Sequence, residues 1–235
     1  MREHFIETRN YIKITEGLEI LRRLPLSSER MGLAYGTFGI GKTTSLERIA
    51  AKYDDVLLLR AEQVWSKASL LERLCVELGL DTRGHSPKLF NRVKNALIEE
   101  EKMIIIDEVD TLLISSKKEV LEMLRDLHDI TRNVIFFIGM AESLAKFKRH
   151  GHYHDRIMQK IKIEEIKHDD IEKFCELSEV PIGADVVNYF ASKYPNFRRI
   201  GYLIRRLEDY CKMNSISSVD MKVLKSSGVE SGIKG

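Results

Sequence analysis

The chain has 235 residues, of which 43% are hydrophobic, enough for a core domain and a smaller second unit. Its 38 basic and 36 acidic residues nearly cancel to a net charge of +2. This balance excludes a polycation that holds nucleic acid by overall charge, so any nucleic-acid site must be local.

Cysteine usage and hydropathy indicate the compartment. Cys75, Cys175 and Cys211 lie far apart and form no CxxC motif, which favours a reducing environment over a disulfide framework. No apolar run approaches the ~20 residues that span a bilayer, and the first residues lack a signal-peptide pattern. We expect a cytoplasmic protein.

The first two thirds of the chain alternate between strand and helix patterns. Helices are predicted after a cap at Ser69, from Ser86-Pro87 onwards and over residues 117–130. Short apolar runs predict five buried strands at residues 32–35, 56–59, 103–106, 134–138 and 161–163. The alternation predicts an α/β fold with a parallel sheet, right-handed crossovers and helices on both faces.

Beyond about residue 164 only helical periodicity remains, over residues 169–177, 184–193 and 197–212. We therefore predict an N-terminal segment (1–28), a core (29–163), a separate helical unit (164–222) and a tail (223–235). The Ser- and Gly-rich stretch from Ser226 to Gly235 is expected to fray.

One glycine-rich segment matches GxxxxGK[ST] in full and lies between a predicted strand and the helical residues 44–53. It consists of Gly36, Thr37, Phe38, Gly39, Ile40, Gly41, Lys42 and Thr43, and Thr44 follows as a further nucleotide-binding candidate. In such a loop successive N–H groups face phosphate oxygens, the helix N-terminus adds a positive dipole end, and the lysine reaches the β- and γ-phosphates. The motif predicts ATP binding, with Thr43 as a ligand of Mg²⁺.

Two carboxylates end the third predicted strand, in Ile104-Ile105-Ile106-Asp107-Glu108. Burying them is costly unless a cation or hydrogen bonds are present, so Asp107 is predicted to hold the Mg²⁺ shell. Glu108 is predicted to orient and activate the attacking water of ATP hydrolysis. A P-loop kinase of small metabolites is the alternative, but it requires a substrate-binding lid rather than a carboxyl-terminal helical unit.

With these motifs the chain resembles AAA+ ATPases, and within them the transposition target-selector group of the phage Mu B protein, TnsC and TniB. The finer resemblance involves Phe5-Ile6-Glu7-Thr8, the Asp107-Glu108 strand and Asp155-Arg156-Ile157. It implies a P-loop AAA+ core with a C-terminal all-helical lid. The family uses an arginine near the end of the core to reach the ATP of a neighbouring subunit, and Arg156 occupies that position.

One segment of this chain resembles the lid motif of the family, except that Pro195 replaces its glycine. The segment is Pro195-Asn196-Phe197-Arg198-Arg199-Ile200. The resemblance implies that Arg198 contacts the phosphates, with Arg199 as its alternative. An ordinary solvated helix arginine is the competing interpretation for Arg156 and Arg198 alike. Met140 follows the fourth strand where the family usually has a polar residue, and a thioether bonds water poorly, so slow hydrolysis is expected.

Local basic groups are the candidates for contacting DNA phosphates, although a solvated charged surface explains each of them singly. They are Lys67, Arg83, Lys88, Lys146, Lys148 and Arg149. His150, His152 and His154 alternate as metal ligands would on an extended segment, but a polar surface loop is the favoured interpretation.

The sequence hypothesis is therefore an ATP-dependent, DNA-binding regulator of transposition. The resemblance implies that it forms rings or filaments of identical subunits on duplex DNA, with little sequence preference, and recruits or stimulates a transposase. The alternatives are another DNA-linked AAA+ ATPase, of the replication initiator or loader type, and a nucleotide-gated scaffold that binds protein only.

Overall fold

A computed structural model describes residues 5–149 and 151–232. The chain divides into two compact units. The sheet unit comprises residues 13–36 and 43–163, and the helical unit comprises residues 5–12, 37–42 and 164–232.

The elements follow one another as the alternation of patterns predicts. The strands are β1 (Met31–Tyr35), β2 (Val56–Arg60), β3 (Met103–Asp107), β4 (Val134–Gly139) and β5 (Ile157–Lys162). The helices are α1 (Arg9–Arg23), α2 (Lys42–Lys52), α3 (Lys67–Glu77), α4 (Ser86–Glu99), α5 (Lys118–Thr131), α6 (Ser143–Arg149), α7 (Gly151–His154), α8 (His168–Cys175), α9 (Ala184–Lys193), α10 (Phe197–Asn214) and α11 (Met221–Ser227). Short 3₁₀ helices cover Val109–Thr111, Ser115–Lys117 and Val229–Gly232.

The strands form one sheet in the order β2-β3-β4-β1-β5, and every neighbouring pair is parallel. The predicted α/β class is confirmed. The inner strands β3 and β4 are buried along their whole length, because helices cover both faces of a parallel sheet. At the edge, β5 alternates between half-buried and exposed residues and starts four residues before the predicted strand. Because Gln159, Lys160 and Lys162 are polar, β5 does not form a continuous apolar run in the sequence.

Helix starts show how local hydrogen bonds decide boundaries. The predicted cap at Ser69 was wrong: the cap of α3 is Ser66, whose hydroxyl accepts from the Ser69 N–H, while Ser69 Oγ accepts from the Ser66 N–H. The reciprocal pair satisfies two N–H groups that the helix leaves open. The start at Ser86 with Pro87 is confirmed for α4.

Helix α1 was not anticipated, although the sequence contains its signal. Tyr11, Ile14, Leu18 and Leu21 recur at helical spacing, and all four are buried. The pattern is weakened by Ile12 and Ile20, which are exposed on the opposite face of the same helix.

The carboxyl-terminal residues are ordered further than composition suggests. Helix α11 continues to Ser227 and the 3₁₀ helix reaches Gly232, so the expected fraying from Ser226 does not hold for these residues. The carboxylate of Glu230 accepts hydrogen bonds from Tyr194 (2.6 Å), Tyr189 (2.8 Å) and Lys193 (2.9 Å). Burial alone raises the pKa of Glu230, but these hydrogen bonds outweigh it and lower the pKa below its ordinary value. Ile233–Gly235 lie outside the described residues.

The histidine-rich stretch is helical rather than extended. His152 and His154 lie in α7, so the alternating geometry of a metal-binding segment is not formed there. His150 lies outside the described residues. No helix in residues 5–149 and 151–232 is both long and apolar enough to cross a membrane.

Candidate nucleotide site

The glycine-rich loop occupies the predicted connection. It leaves β1 after Tyr35, and its Lys42 begins α2, which is therefore two residues longer at its start than the predicted helix. Ile40 is buried beneath the loop, whereas Phe38 is 64% exposed. The Gly36 N–H donates to the carbonyl of Gly139 at 3.3 Å, which attaches the loop to the end of β4.

Two glycines of the loop adopt conformations that other residues avoid. Gly39 has φ +76° and Gly41 has φ +87°, both in the left-handed region. A Cβ at Gly39 would lie 2.0 Å from Asn196 Nδ2, so space as well as conformation requires glycine. The loop is therefore shaped by its glycines and by the start of α10.

The amino-terminal end of α10 contacts the loop backbone within the helical unit. Asn196 Nδ2 donates to the carbonyl of Phe38 at 3.3 Å, and the Phe197 N–H donates to the carbonyl of Gly39 at 2.9 Å. Lys42 Nζ donates to the carbonyl of Thr37 at 2.6 Å, which places its ammonium over the loop. These contacts leave the loop carbonyls turned toward protein donors, as expected of a loop whose N–H groups face a ligand.

In the sheet unit, Thr43 and Asp107 meet as the motifs predict. Thr43 Oγ1 donates to Asp107 Oδ2 at 2.9 Å, and the Glu108 N–H donates to Asp107 Oδ1 at 2.8 Å. Asp107 is only 4% exposed, and a buried carboxylate next to a hydroxyl supplies the hard oxygen ligands that Mg²⁺ takes alongside water. The pair therefore fits the predicted cation.

Glu108 is held in an unusual conformation at the end of β3. Its φ is +54°, in the left-handed region that a glutamate rarely adopts, and such strain concentrates at functional sites. Its carboxylate forms an ion pair with Arg60, the last residue of the neighbouring strand β2. The hydrogen bond and the charge of Glu108 raise the pKa of Arg60.

Arg60 was not predicted as a site residue. Parallel pairing aligns Arg60 with Asp107, which brings its side chain to Glu108. The signal lies in the register of β2 and β3, which no local motif contains.

Asp110 was also missed, although it follows Asp107-Glu108 closely. It accepts from the Met140 N–H (2.5 Å), the Ser143 hydroxyl (2.9 Å) and Lys146 Nζ (3.1 Å). The structure places Met140 directly after β4, as predicted, and fixes its backbone through Asp110. Asp110 thus ties the end of β4 and the start of α6 to the loop that carries Glu108.

Arg156 lies just before β5, at the edge of the sheet where the strands begin. It donates to Asp129 at 2.9 Å and to Glu29 at 3.3 Å. Glu29, His128 and Asp129 lie close enough together to share a metal ion, but Arg156 already supplies a positive charge to both carboxylates. The predicted action of Arg156 on a neighbouring subunit remains a prediction.

Arg198 and Arg199 stand in the first turn of α10, and both are exposed. The residues just before them, Asn196 and Phe197, are those that contact the phosphate loop. The assignment of Arg198 to the phosphates, with Arg199 as alternative, remains a prediction.

The six basic residues proposed for DNA differ in their surroundings. Lys67 pairs with Glu119 at 3.0 Å and Lys146 pairs with Asp110 at 3.1 Å, so both charges are balanced within the chain. Lys146 is therefore better explained by its role at Asp110. The other four residues are exposed, and they are Arg83, Lys88, Lys148 and Arg149.

Together the β1-loop-α2 unit and the acidic end of β3, on a parallel sheet of this order, define a P-loop nucleotide-binding fold. A family model described as the AAA domain matches residues 22–147, more than half of the sequence. The chain belongs to the AAA domain family.

Similar proteins agree with this fold. A Staphylococcus aureus protein described as a potential ATP-binding protein is 22% identical over 265 residues, covering 95% of each chain. The ORC2 protein of Aeropyrum pernix, solved with ADPNP and ADP, superposes with a TM-score of 0.74 at 15% identity, over 97% of this chain and 69% of that one. The ORC1 protein of Aeropyrum pernix, solved in complex with DNA, gives a TM-score of 0.65 at 14% identity, over 96% and 66%.

Proposed function

We propose that the chain binds and hydrolyses ATP and uses that cycle to control its own assembly on duplex DNA. The observation that carries the first part is the hydrogen bond from Thr43 to the buried Asp107, with Glu108 directly after it. Phosphoryl transfer to water requires a hydroxyl and a carboxylate that hold the cation and a second carboxylate that orients the water. Thr43, Asp107 and Glu108 supply these groups, and Thr43 ends a complete phosphate-loop motif.

The chemistry follows from positioning and charge. The loop N–H groups and Lys42 would hold the triphosphate, and Thr43 and Asp107 would hold Mg²⁺. When bound there, Mg²⁺ neutralises charge on the phosphate oxygens. Glu108 would accept a hydrogen bond from the attacking water and take its proton as the water oxygen bonds to the γ-phosphorus and ADP leaves. Its carboxylate is 47% exposed, so water reaches it without rearrangement of a core.

Arg60 competes with water for the carboxylate of Glu108. While Arg60 pairs with Glu108, the carboxylate oxygen that faces the guanidinium is occupied. A water molecule that binds this same oxygen must therefore displace Arg60. Both side chains are largely exposed, so the exchange costs no more than about 1 kcal/mol.

Two supports favour DNA as the assembly platform. The sequence resembles transposition regulators, and the similar ORC1 structure was solved in complex with DNA. A transposition target selector recruiting a transposase is the finer proposal, drawn from the resemblance. The second candidate is an initiator or loader role, which the likeness to the ORC proteins favours.

Electron microscopy tests the shared part of the proposal. The purified chain is imaged with ATP and Mg²⁺, with and without duplex DNA, alongside Lys42→Ala. We expect DNA-bound rings or filaments of the wild type and none of the variant, because Lys42 is a direct partner of the phosphates. Assembly with ATP but without any response to DNA would support the protein-only scaffold instead.

A further inference from the structure

The solvent face of α10 carries a row of positive charge at helical spacing. Arg198, Arg205 and Lys212 recur every seven residues, and all three are exposed. Seven residues are close to two helical turns, so these side chains lie in one line on the helix, about 10 Å apart. Arg199 adds a further exposed charge beside the first of them.

These charges have no carboxylate partner in the part of the chain that the structure describes. Among residues 5–149 and 151–232, no ion pair involves Arg198, Arg199, Arg205 or Lys212. Lys67 and Lys146, by contrast, each have a carboxylate partner. Asp209 is exposed in the same row, four residues after Arg205 and three before Lys212, so four cations and one anion leave a local charge of +3.

An aromatic side chain lies within the row. Tyr202 is 46% exposed, and the guanidinium of Arg206 lies 5.7 Å from its ring centroid. Arg206 also donates to the carbonyl of Val229, which fixes the pair against the carboxyl-terminal segment. The Tyr202 hydroxyl adds a neutral donor among the cations, a group that also contacts phosphate and sugar oxygens of DNA.

We propose that this face, defined by Arg198, Tyr202, Arg205 and Lys212, binds the phosphate backbone of duplex DNA. The proposal rests on the proposed function and locates its DNA contact. The line from Arg198 to Lys212 extends about 21 Å along the helix, enough to face several phosphates of one strand. Phosphate contacts carry no sequence information, so binding through this face is expected to tolerate any sequence.

The position of α10 gives the contact a link to nucleotide. The same helix begins at Asn196 and Phe197, which bond the carbonyls of Phe38 and Gly39 in the phosphate loop. One helix thus connects the loop to the charged face. The charge at its start, Arg198, is the one that the resemblance assigns to ATP, so the test leaves it unchanged.

The test compares two double variants with wild type in ATP and Mg²⁺. Arg205→Gln/Lys212→Gln removes two charges of the face, and Lys173→Gln/Lys225→Gln removes two exposed charges of α8 and α11 as the matched control. Affinity for a labelled duplex is measured by fluorescence anisotropy over a salt series. We expect the first variant to lose about tenfold in affinity and to flatten the log–log salt slope by about one unit per lost contact, with the control unchanged.

Each other outcome overturns the inference in a recognisable way. If Lys148→Gln/Arg149→Gln weakens DNA binding and the α10 variant does not, the DNA site lies on α6 and the proposed function stands. If the wild type binds ATP but no DNA, the proposed function fails as well. If polyglutamate of equal charge displaces the duplex as well as unlabelled DNA does, the face is a surface for acidic proteins.

Discussion

Charged side chains lie at both ends of the parallel strands, at the edge of the sheet where the strands end and at the opposite edge where they begin. The two edges differ in how completely these side chains are hydrogen-bonded. At the edge where the strands end, Asp107 accepts one hydroxyl and one N–H donor. A carboxylate has about four acceptor positions, so Asp107 retains capacity for a cation. Glu108 beside it is 47% exposed and forms an ion pair with Arg60, an exposed arginine on the next strand.

At the edge where the strands begin, the polar groups bond to one another. Arg30 is 1% exposed and donates to the carbonyls of Leu21, Arg22 and Arg132, as well as to Glu101. Such a network satisfies its charge internally and stabilises the fold, because a buried donor without a partner is costly. The two edges thus differ in their most buried charges: Asp107 at the edge where the strands end, the chemical edge, keeps open acceptor positions, whereas Arg30 at the opposite, structural edge is bonded to four acceptors.

Loss of the water-activating carboxylate is expected to have the largest effect. Glu108→Gln keeps the shape of the side chain but cannot accept the proton, so turnover should fall by about 10²- to 10⁴-fold while ATP binding persists. Because ATP then remains bound, release from labelled duplex after adding excess competitor should slow. Glu119→Gln, on α5, is the control and should change neither rate. Equal release rates, with measurable wild-type hydrolysis, would show that cleavage does not time disassembly.

Arg156 tests whether the structural edge also serves a neighbouring subunit. If it acts in trans, Arg156→Ala should lower turnover by about 10³-fold and leave ATP affinity of the single chain intact. Arg125 also contacts Asp129, so Arg125→Ala is the matched control for a merely structural loss. Mixtures of Arg156→Ala and Glu108→Gln subunits should regain activity, since each supplies what the other lacks. Equal turnover losses in Arg156→Ala and Arg125→Ala, without recovery in mixtures, contradict the trans role.

The structural edge should respond in stability rather than activity. Asn133 is 1% exposed, and its side chain accepts from the Lys102 N–H and donates to the carbonyl of Leu97. Asn133→Ala leaves both buried groups without this partner, so the free energy of unfolding should fall by about 2–3 kcal/mol. Denaturant titration measures this, with the exposed Asn91→Ala expected within about 0.5 kcal/mol of wild type. A large loss of ATP affinity in the still-folded Asn133→Ala protein would count against separating the two edges.

The sequence predicted where the contiguous parts of the chemical edge lie, which are the loop between β1 and α2 and the carboxylates at the end of β3. Gly36 to Thr43 form one motif, and Asp107 with Glu108 end an apolar run, so local pattern was sufficient. Arg60 and Asp110 were missed because their importance comes from strand register and from the end of β4. No window of neighbouring residues contains those contacts.

The same reason explains the errors at the carboxyl terminus. Ser226 to Gly235 have a composition typical of disordered ends, yet the structure orders residues up to Gly232. The ordering interactions come from Tyr189 and Tyr194 on the chain before α10, more than thirty residues from Glu230. The composition of a segment predicts only its order in isolation. It cannot predict order that comes from contacts with α9 and the residue after it.

Arg60 offers the smallest and most specific test of the chemical edge. Arg60→Ala removes the ion pair that occupies Glu108, and because both groups are largely exposed the pair contributes no more than about 1 kcal/mol. Turnover should therefore rise by at most about fivefold, since water can then bind the Glu108 oxygen that faces the guanidinium without displacing Arg60. Steady-state phosphate release at saturating ATP measures the change. Arg73→Ala, which breaks an exposed pair with Glu77 on α3, is the matched control and should leave turnover as it is. A fall in turnover for Arg60→Ala alone would mean that the guanidinium helps to hold Glu108 or the phosphates in the reacting state. In that case Arg60 would assist hydrolysis, and its ion pair with Glu108 would not slow the reaction of water.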